Sequence, residues 1–261
     1  MRDITYRPII VTAKIAFKAL DLKFVITGDR HVPTTGPAIV AVNHISYVDF
    51  IFGGFATQRS KRLVRFMAKR ELFDHRWTGP LMRSLHHIEV DRAEGTTSYQ
   101  TALDYLAAGE VVGVFPEATI SRSFELKEFK SGTVRLAAAA GVPIIPLVLW
   151  GTQRMFTKDH PRDFSRGKTL SLTIGEPFHV TGSNAVAETR RLRSEMGVLL
   201  EGAIREYPDH QEGAWWVPQR YGGAAPTLAE AERLDADEKR RRAQARRAKR
   251  QGKATDANAG S

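Results

Sequence analysis

One stretch of the chain reads Ala38-Ile39-Val40-Ala41-Val42-Asn43-His44-Ile45-Ser46. Its first five residues are all apolar, which is typical of a short strand buried on both faces of a sheet. Asn43 and His44 follow where this strand ends, and a core has no use for their polar side chains. Because ligands of open α/β folds bind at the carboxyl ends of the strands, the stretch predicts both a central strand and a functional site.

A second apolar run shows the same arrangement and extends the prediction to a whole sheet. It covers residues 111–115, and Pro116-Glu117-Ala118-Thr119 follow directly. Short apolar runs alternate with helical periodicity from residue 22 to 206, which indicates the α/β class: one domain whose central, mostly parallel or mixed sheet is covered by helices. Strands are predicted over residues 22–27, 38–42, 63–68, 88–90, 111–115, 144–150 and 170–174, and helices over 9–20, 96–108, 133–140 and 185–206.

Composition narrows the class of protein. The 261 residues are 42% hydrophobic, enough for a proper core. The chain has no cysteine, which excludes disulfide scaffolds, zinc fingers and thiol nucleophiles and fits a reducing compartment. The net charge is +10, but nine basic residues and no acidic one lie in residues 239–253. The body of the protein is therefore nearly neutral, and the excess charge belongs to a tail.

The chain is predicted to have four segments, none with an uninterrupted apolar run long enough for an ordinary transmembrane helix. Thr227 and Glu230 form the sequence pattern of a capping box at the start of the last segment, which has almost no apolar stripe. The segments are an amphipathic membrane-association helix (1–21), the catalytic domain (22–208), an arm rich in Trp, Gly and Pro (209–226) and a basic tail, helical or disordered (227–261).

Two of these segments have alternative interpretations. The first helix carries Lys14 and Lys18 on one side, so it either lies in a membrane interface or simply covers the core. The basic tail either binds anionic lipid or is an unstructured solubilising segment. We expect a peripheral protein on the cytoplasmic face of the cell membrane.

His44 and Asp49 are the candidate catalytic pair. Inside one ideal helix they would lie about 140° apart, but they can meet if a helix starts between them, with Ser46 as its N-cap. An aspartate that accepts from one imidazole nitrogen fixes the tautomer, so the other nitrogen can act as a base. The alternative is that Ser46 and Asp49 form a capping box and His44 merely ends a strand.

Motifs for a resident nucleophile, a phosphate loop and a zinc site are absent: Gly-x-Ser-x-Gly, Gly-x4-Gly-Lys-Ser/Thr and His-Glu-x-x-His do not occur. A base without a nucleophile suggests that the substrate supplies the nucleophile, for example a hydroxyl.

Six sequence blocks occur in order over residues 22–177. They are Asn43-His44-Ile45-Ser46-Tyr47-Val48-Asp49, Ala68-Lys69-Arg70-Glu71-Leu72-Phe73, Ile88-Glu89-Val90-Asp91-Arg92, Phe115-Pro116-Glu117-Ala118-Thr119, Phe129-Lys130-Ser131-Gly132 and Val142-Pro143-Ile144-Ile145-Pro146-Leu147.

Together these blocks resemble the signatures of the glycerolipid acyltransferases of the bacterial 1-acylglycerol-3-phosphate acyltransferase type, whose first block is N-H-x4-D. The resemblance implies acyl transfer, in phospholipid synthesis, from acyl-CoA or acyl carrier protein to a lysophospholipid hydroxyl, with His44 as base, Asp49 orienting it, and no metal or other cofactor. It also implies that Phe115–Thr119, called the third block in the family, binds the acceptor phosphate. Ile88–Arg92 is the family's second block. The implied substrate-binding residues are Asn43, Ser46, Lys69, Arg92, Glu117, Ala118, Thr119, Arg122, Lys130 and Gly132.

The chain departs from the family pattern at two places. The third block normally continues Gly-Thr-Arg, whereas Ala118 and Ile120 stand here for the glycine and the phosphate-binding arginine. In the family a glycine comes just before the second block, and His86 and His87 stand there in this chain. We expect another cation to replace the arginine, and Arg122 and Arg92 are the candidates.

Other functions stay open at this point. The acceptor is alternatively glycerol 3-phosphate or another lysolipid. An inactive lipid-binding protein is a second alternative, less favoured because His44 and Asp49 are present. A nucleic-acid-binding protein with a basic tail is a third, but no aromatic residue lies among the tail cations and the body is not basic, so we expect no specific nucleic acid partner.

Overall fold

A seven-stranded sheet organises the protein, whose computed structural model describes residues 5–91, 95–209 and 211–258. The strand order is β1-β7-β6-β2-β5-β3-β4, and every neighbouring pair is parallel except β6 and β7. The predicted α/β class with a mostly parallel sheet is confirmed. The strands are β1 (Lys23–Thr27), β2 (Ala38–Val42), β3 (Val64–Lys69), β4 (Ile88–Val90), β5 (Val111–Val114), β6 (Ile144–Trp150) and β7 (Thr169–Ile174).

Helices cover the sheet: α7 packs on β6 and β7, and α5 packs on β4, β5 and α6. Two short helices between β3 and β4 were not predicted, because neither is long enough to show helical periodicity and the second contains Gly79 and Pro80. The helices are α1 (Tyr6–Ala19), α2 (Asp49–Ala56), α3 (Arg70–Asp74), α4 (Thr78–Ser84), α5 (Gly95–Ala107), α6 (Gly132–Ala140), α7 (Ala185–Arg205) and α8 (Leu228–Asn258).

Strand β2 lies in the middle of the sheet, hydrogen-bonded to β5 on one side and to β6 on the other. All five of its residues are buried, as expected for a strand covered on both faces. Because β2, β5 and β6 run parallel, their carboxyl ends meet at one edge of the sheet. The loops that follow these three strands are therefore neighbours there, although they are far apart in the sequence.

Helix α1 packs one face on the domain and exposes the other. The ring of Phe17 contacts Phe24 of β1 and both Phe52 and Phe55 of α2, with ring centroids 5.2–5.4 Å apart. Val11 and Ile15, one helical turn apart, are 55% and 64% exposed. The two interpretations of this helix are thus compatible, because it covers the core on one side and leaves an apolar strip on the other. None of the helices in the described part of the chain is long and apolar enough to cross a bilayer.

The chain divides into two compact units. The first comprises Met1–Ser121 and Leu126–His210, which contain the sheet; the second comprises Arg122–Glu125 and Gln211–Ser261. In the second unit α8 starts with the predicted capping box: the Glu230 carboxylate accepts from the Thr227 N–H at 2.8 Å, and the Glu230 N–H donates to the Thr227 hydroxyl at 3.2 Å. Part of the basic tail lies beyond the residues whose side chains are described.

Both departures from the family glycines occur where the backbone is left-handed. His86 has φ 51° and Ala118 has φ 58°, a region in which a side chain costs about 1–2 kcal/mol and glycine costs nothing. The neighbouring His87 has a structural role, since its Nδ1 accepts the Phe66 N–H at 3.1 Å. Burial and the nearby charge of Arg65 lower the pKa of His87 to about 4, which keeps the ring neutral and able to accept.

Restoring glycine at Ala118 should stabilise the protein. We expect Ala118→Gly to raise the free energy of unfolding in urea by up to about 1 kcal/mol, because it removes the left-handed strain. The matched control is Ala139→Gly, on an exposed position inside α6, which should lower it by about 0.5–1 kcal/mol. Equal losses in both variants would show that Ala118 is not strained.

Candidate active site

His44 and Asp49 meet at the carboxyl end of β2. His44 Nδ1 lies 3.0 Å from Asp49 Oδ2, and the aspartate is fully buried. The same oxygen accepts the backbone N–H groups of Ile45 and Ser46, each at 2.7 Å. The other carboxylate oxygen accepts the Thr152 hydroxyl at 2.6 Å. Asp49 therefore fixes the ring of His44 and the backbone that carries it at the same time.

The start of α2 explains how the two residues meet. The helix begins at Asp49, and Val48 is its N-cap residue, so the expected N-cap role of Ser46 is wrong. The Ser46 hydroxyl lies too early in the chain: it donates to the Phe156 carbonyl at 2.6 Å and accepts from Val48 N–H at 3.3 Å. The Asp49 bond to the Ser46 N–H does occur, so the aspartate stabilises the turn as well as the histidine. The reciprocal bond from the Asp49 N–H to the Ser46 hydroxyl is absent, so the expected capping box is only half formed, and this half does not conflict with the pairing of Asp49 and His44.

Asn43 links the site to the next strand. Its amide group donates to the Leu149 carbonyl at 3.0 Å and accepts the Leu149 N–H at 2.7 Å, and the residue is fully buried. The side chain thus continues the β2–β6 ladder where the backbone turns away. We expected Asn43 and Ser46 to bind substrate, but the side chains of both residues form their hydrogen bonds with the protein backbone.

Glu117 holds the same histidine from the other side. Its two carboxylate oxygens accept the His44 N–H at 2.9 Å and the Lys127 N–H at 3.1 Å. Burial raises the pKa of Glu117 to about 8, against the opposing effect of these two donors. Glu117 is 3% exposed, so its geometry is that of a residue that fixes two loops rather than one that lines a pocket.

The ring of His44 is held flat against Phe115, with centroids 4.2 Å apart and planes at 25°. Phe115 in turn stacks on Phe66 of β3 at 5.4 Å. Because Nδ1 donates to Asp49, the unprotonated nitrogen is Nε2, which is positioned to accept a proton. The side chain of His44 remains 21% exposed, so a substrate has access to the ring.

The loop after β6 completes the site, and the sequence analysis missed it. Besides the Thr152 bond to Asp49, the Thr157 hydroxyl donates to the Ile45 carbonyl at 2.7 Å, and the Tyr47 N–H donates to the Phe156 carbonyl at 2.9 Å. The signal was present: β6 is a buried apolar strand followed by polar residues, the same criterion that identified His44 and Glu117.

The third block contributes Thr119, and the cation beside it is Lys158 of the loop after β6, not one of the expected arginines. Lys158 Nζ donates to the Thr119 hydroxyl at 3.1 Å. Ile120 is only 3% exposed, so it faces the interior. Arg122, which we expected to replace the missing arginine, belongs to the second unit, where Asp235 and Glu238 bind its guanidinium. This pairing argues against Arg122 as a phosphate ligand.

Of the remaining predicted binding residues, Arg92 lies outside the described residues. Lys69 is half-buried at the end of β3, while Lys130 and Gly132 are exposed at the start of α6, and Ala118 is exposed. Among residues 5–91, 95–209 and 211–258, no cluster of three or more His, Asp and Glu side chains is placed to hold a metal ion.

Comparisons with known proteins agree with this geometry. The family model described as Acyltransferase matches residues 23–150. The 1-acyl-sn-glycerol-3-phosphate acyltransferase of Bacillus subtilis is 32% identical over 178 residues, which cover 68% of this chain and 84% of that protein. The enzyme of the same name from Borreliella burgdorferi is 26% identical over 56% of this chain and 58% of its own length, so the chain spans less than two thirds of that relative.

A solved structure also matches. The crystal structure of the 1-acyl-sn-glycerophosphate (LPA) acyltransferase PlsC from Thermotoga maritima superimposes with a TM-score of 0.61 at 26% identity, covering 76% of this chain and 78% of the other. These matches, with the histidine–aspartate pair at the carboxyl end of β2, place the protein among the acyltransferases of the α/β class. The chain belongs to the glycerolipid acyltransferase family, as the extent of its similarity to the Bacillus enzyme shows.

Thr152 provides a test of the hydrogen bonds around Asp49. Thr152→Val keeps the shape but removes the donor, and we expect kcat to fall about tenfold, because one carboxylate oxygen loses its partner and the pair is held less firmly. Thr152→Ser should restore most of the rate, since it retains the hydroxyl. Full activity in Thr152→Val together with a loss in Thr152→Ser would instead show that packing of the methyl group matters and the hydrogen bond does not.

Proposed function

We propose that the protein transfers a fatty acyl group from an acyl thioester to the free hydroxyl of lysophosphatidate, a step of phospholipid synthesis. The observation that carries this function is the His44–Asp49 pair at the carboxyl end of β2, with Nδ1 bound to the carboxylate and the ring partly exposed. The relatives named above are 1-acyl-sn-glycerol-3-phosphate acyltransferases, which supports the same acceptor.

The reaction follows from the position of the base. His44 Nε2 takes the proton of the acceptor hydroxyl as its oxygen attacks the thioester carbonyl, and the imidazolium that forms is stabilised by the Asp49 carboxylate. When the tetrahedral intermediate collapses, the carbon–sulfur bond breaks and the imidazolium returns the proton to the thiolate. The products are the doubly acylated lipid and the free thiol of the donor.

The acceptor itself is the nucleophile in this scheme. No acyl-enzyme intermediate is required, in agreement with a sequence that lacks cysteine and the Gly-x-Ser-x-Gly motif. The acyl thioester, of CoA or of acyl carrier protein, is a co-substrate, and the proposed reaction uses no resident cofactor.

The acceptor is a membrane lipid, so we further propose a peripheral site of action on the cytoplasmic face of the cell membrane. Val11 and Ile15 on the exposed face of α1, beside Lys14 and Lys18, have the pattern of a helix that lies in the interface. The basic residues of the tail would add attraction to anionic lipid, about 1 kcal/mol for each cation near the surface.

Replacing the base tests the catalytic proposal. His44→Ala should lower thioester turnover with lysophosphatidate by ~10²–10⁴-fold without loss of folding, because general-base catalysis contributes that factor. His179→Ala, which removes an exposed histidine, is the control. Lysophosphatidate, glycerol 3-phosphate and a neutral lysolipid should be offered side by side, and preference for either of the last two would overturn the proposed acceptor.

Membrane attachment is tested by sedimentation of the full chain with vesicles that contain anionic lipid. High salt should weaken binding by screening the tail and leave a residual apolar part. The double substitution Val11→Asn/Ile15→Asn should remove that residual part, whereas Val186→Asn/Val198→Asn, at exposed positions of α7, should not. Binding unaffected by salt and by the α1 substitutions would contradict the proposal.

A further inference from the structure

We infer that Lys158 binds the phosphate of the acceptor, in place of the arginine that the family carries where this chain has Ile120. The inference rests on the proposed function, because it concerns the phosphate monoester of that acceptor. None of the sequence blocks includes Lys158, which lies in the loop between β6 and β7, the loop that supports His44 and Asp49.

The position of Lys158 is set by hydrogen bonds on both sides. On its own loop, the Thr157 hydroxyl binds the Ile45 carbonyl at 2.7 Å, one residue beyond the base. Across from it, Lys158 Nζ binds the hydroxyl of Thr119 at 3.1 Å. The third block in turn is tied to His44, since the Ser121 N–H donates to the His44 carbonyl at 2.7 Å. The ammonium group therefore lies between two loops that both flank the base.

The chemistry of the acceptor requires a cation at this location. In 1-acyl-glycerol 3-phosphate the free hydroxyl and the phosphate are on neighbouring carbons of the glycerol. When the acceptor hydroxyl is at His44 Nε2, the acceptor phosphate must be close by. The groups that bind this phosphate must therefore lie on a loop next to the histidine. Lys158 and Thr119 meet on such loops, and together they offer a charged donor and a hydroxyl to the phosphate oxygens.

The other candidates for binding the phosphate are less suited to it. Position 120 carries an apolar side chain that is 3% exposed, and Arg122 is bound by Asp235 and Glu238 within the second unit. A phosphate dianion forms stronger, charge-assisted bonds with an ammonium than a hydroxyl does, so the acceptor can recruit the lysine from Thr119.

The experiment compares Lys158→Met, Lys158→Arg and Arg166→Met. Lys158→Met removes the charge and keeps a long side chain; Arg166→Met removes a charge from an exposed position of the same loop and is the control. For Lys158→Met we expect the KM for lysophosphatidate to rise about 10- to 100-fold, the loss typical of a charge-assisted hydrogen bond. The KM for the acyl donor and turnover of monoacylglycerol, which lacks the phosphate, should stay unchanged. Lys158→Arg should recover most of the affinity.

Binding of lysophosphatidate in the absence of donor, measured by equilibrium dialysis, separates this inference from the proposed function. Wild type that binds lysophosphatidate through Lys158 but does not acylate it would support the phosphate site and contradict the function. Wild-type affinity in Lys158→Met would overturn the inference while leaving the function intact. Equal losses for donor, lysophosphatidate and monoacylglycerol would also overturn it, because they would assign Lys158 a structural role.

Discussion

A carboxylate without access to water is tolerated only when hydrogen-bond donors surround it, and Asp49 meets this requirement with four. Two are backbone N–H groups of the loop after β2, one is His44 Nδ1 and one is the Thr152 hydroxyl. If any of them is displaced, the buried charge loses part of its compensation. The solvation of one side chain thus constrains the orientation of the base, the path of its loop and the docking of the loop after β6.

The second constraint acts on the backbone of His44. Its N–H donates to Glu117 and its carbonyl accepts from the Ser121 N–H, so both peptide groups of His44 are fixed by the loop after β5. The loop after β5 thus holds His44 itself, while the loop after β6 holds its neighbours Asp49 and Ile45. Precise positioning of this kind lowers the entropic cost of reaching the transition state, and it comes here from hydrogen bonds with a neighbouring loop.

The sequence was sufficient for the sheet and for the meeting of His44 with Asp49, since both depend on local patterns: apolar runs, the polar residues that end them and a spacing of five. It failed where function depends on pairing across the fold. Nothing local reveals that Asn43 bonds to Leu149, 106 residues away, or that Glu117 serves the backbone of His44. Lys158 was missed for the same reason: no block contains it, and its relevance appears only once β6 lies beside β2.

The bond between Asn43 and Leu149 also bears on how the protein is made. Parallel neighbours so distant in the chain form slowly, because a long loop must close before the contact can form. During synthesis the N-terminal half emerges first, with His44 and Asp49 present but without β6, Thr152 or the ladder that Asn43 continues. A nascent or truncated chain that ends before this region carries the catalytic residues and lacks their geometry. We therefore expect acyl transfer only from chains that have been synthesised beyond β6.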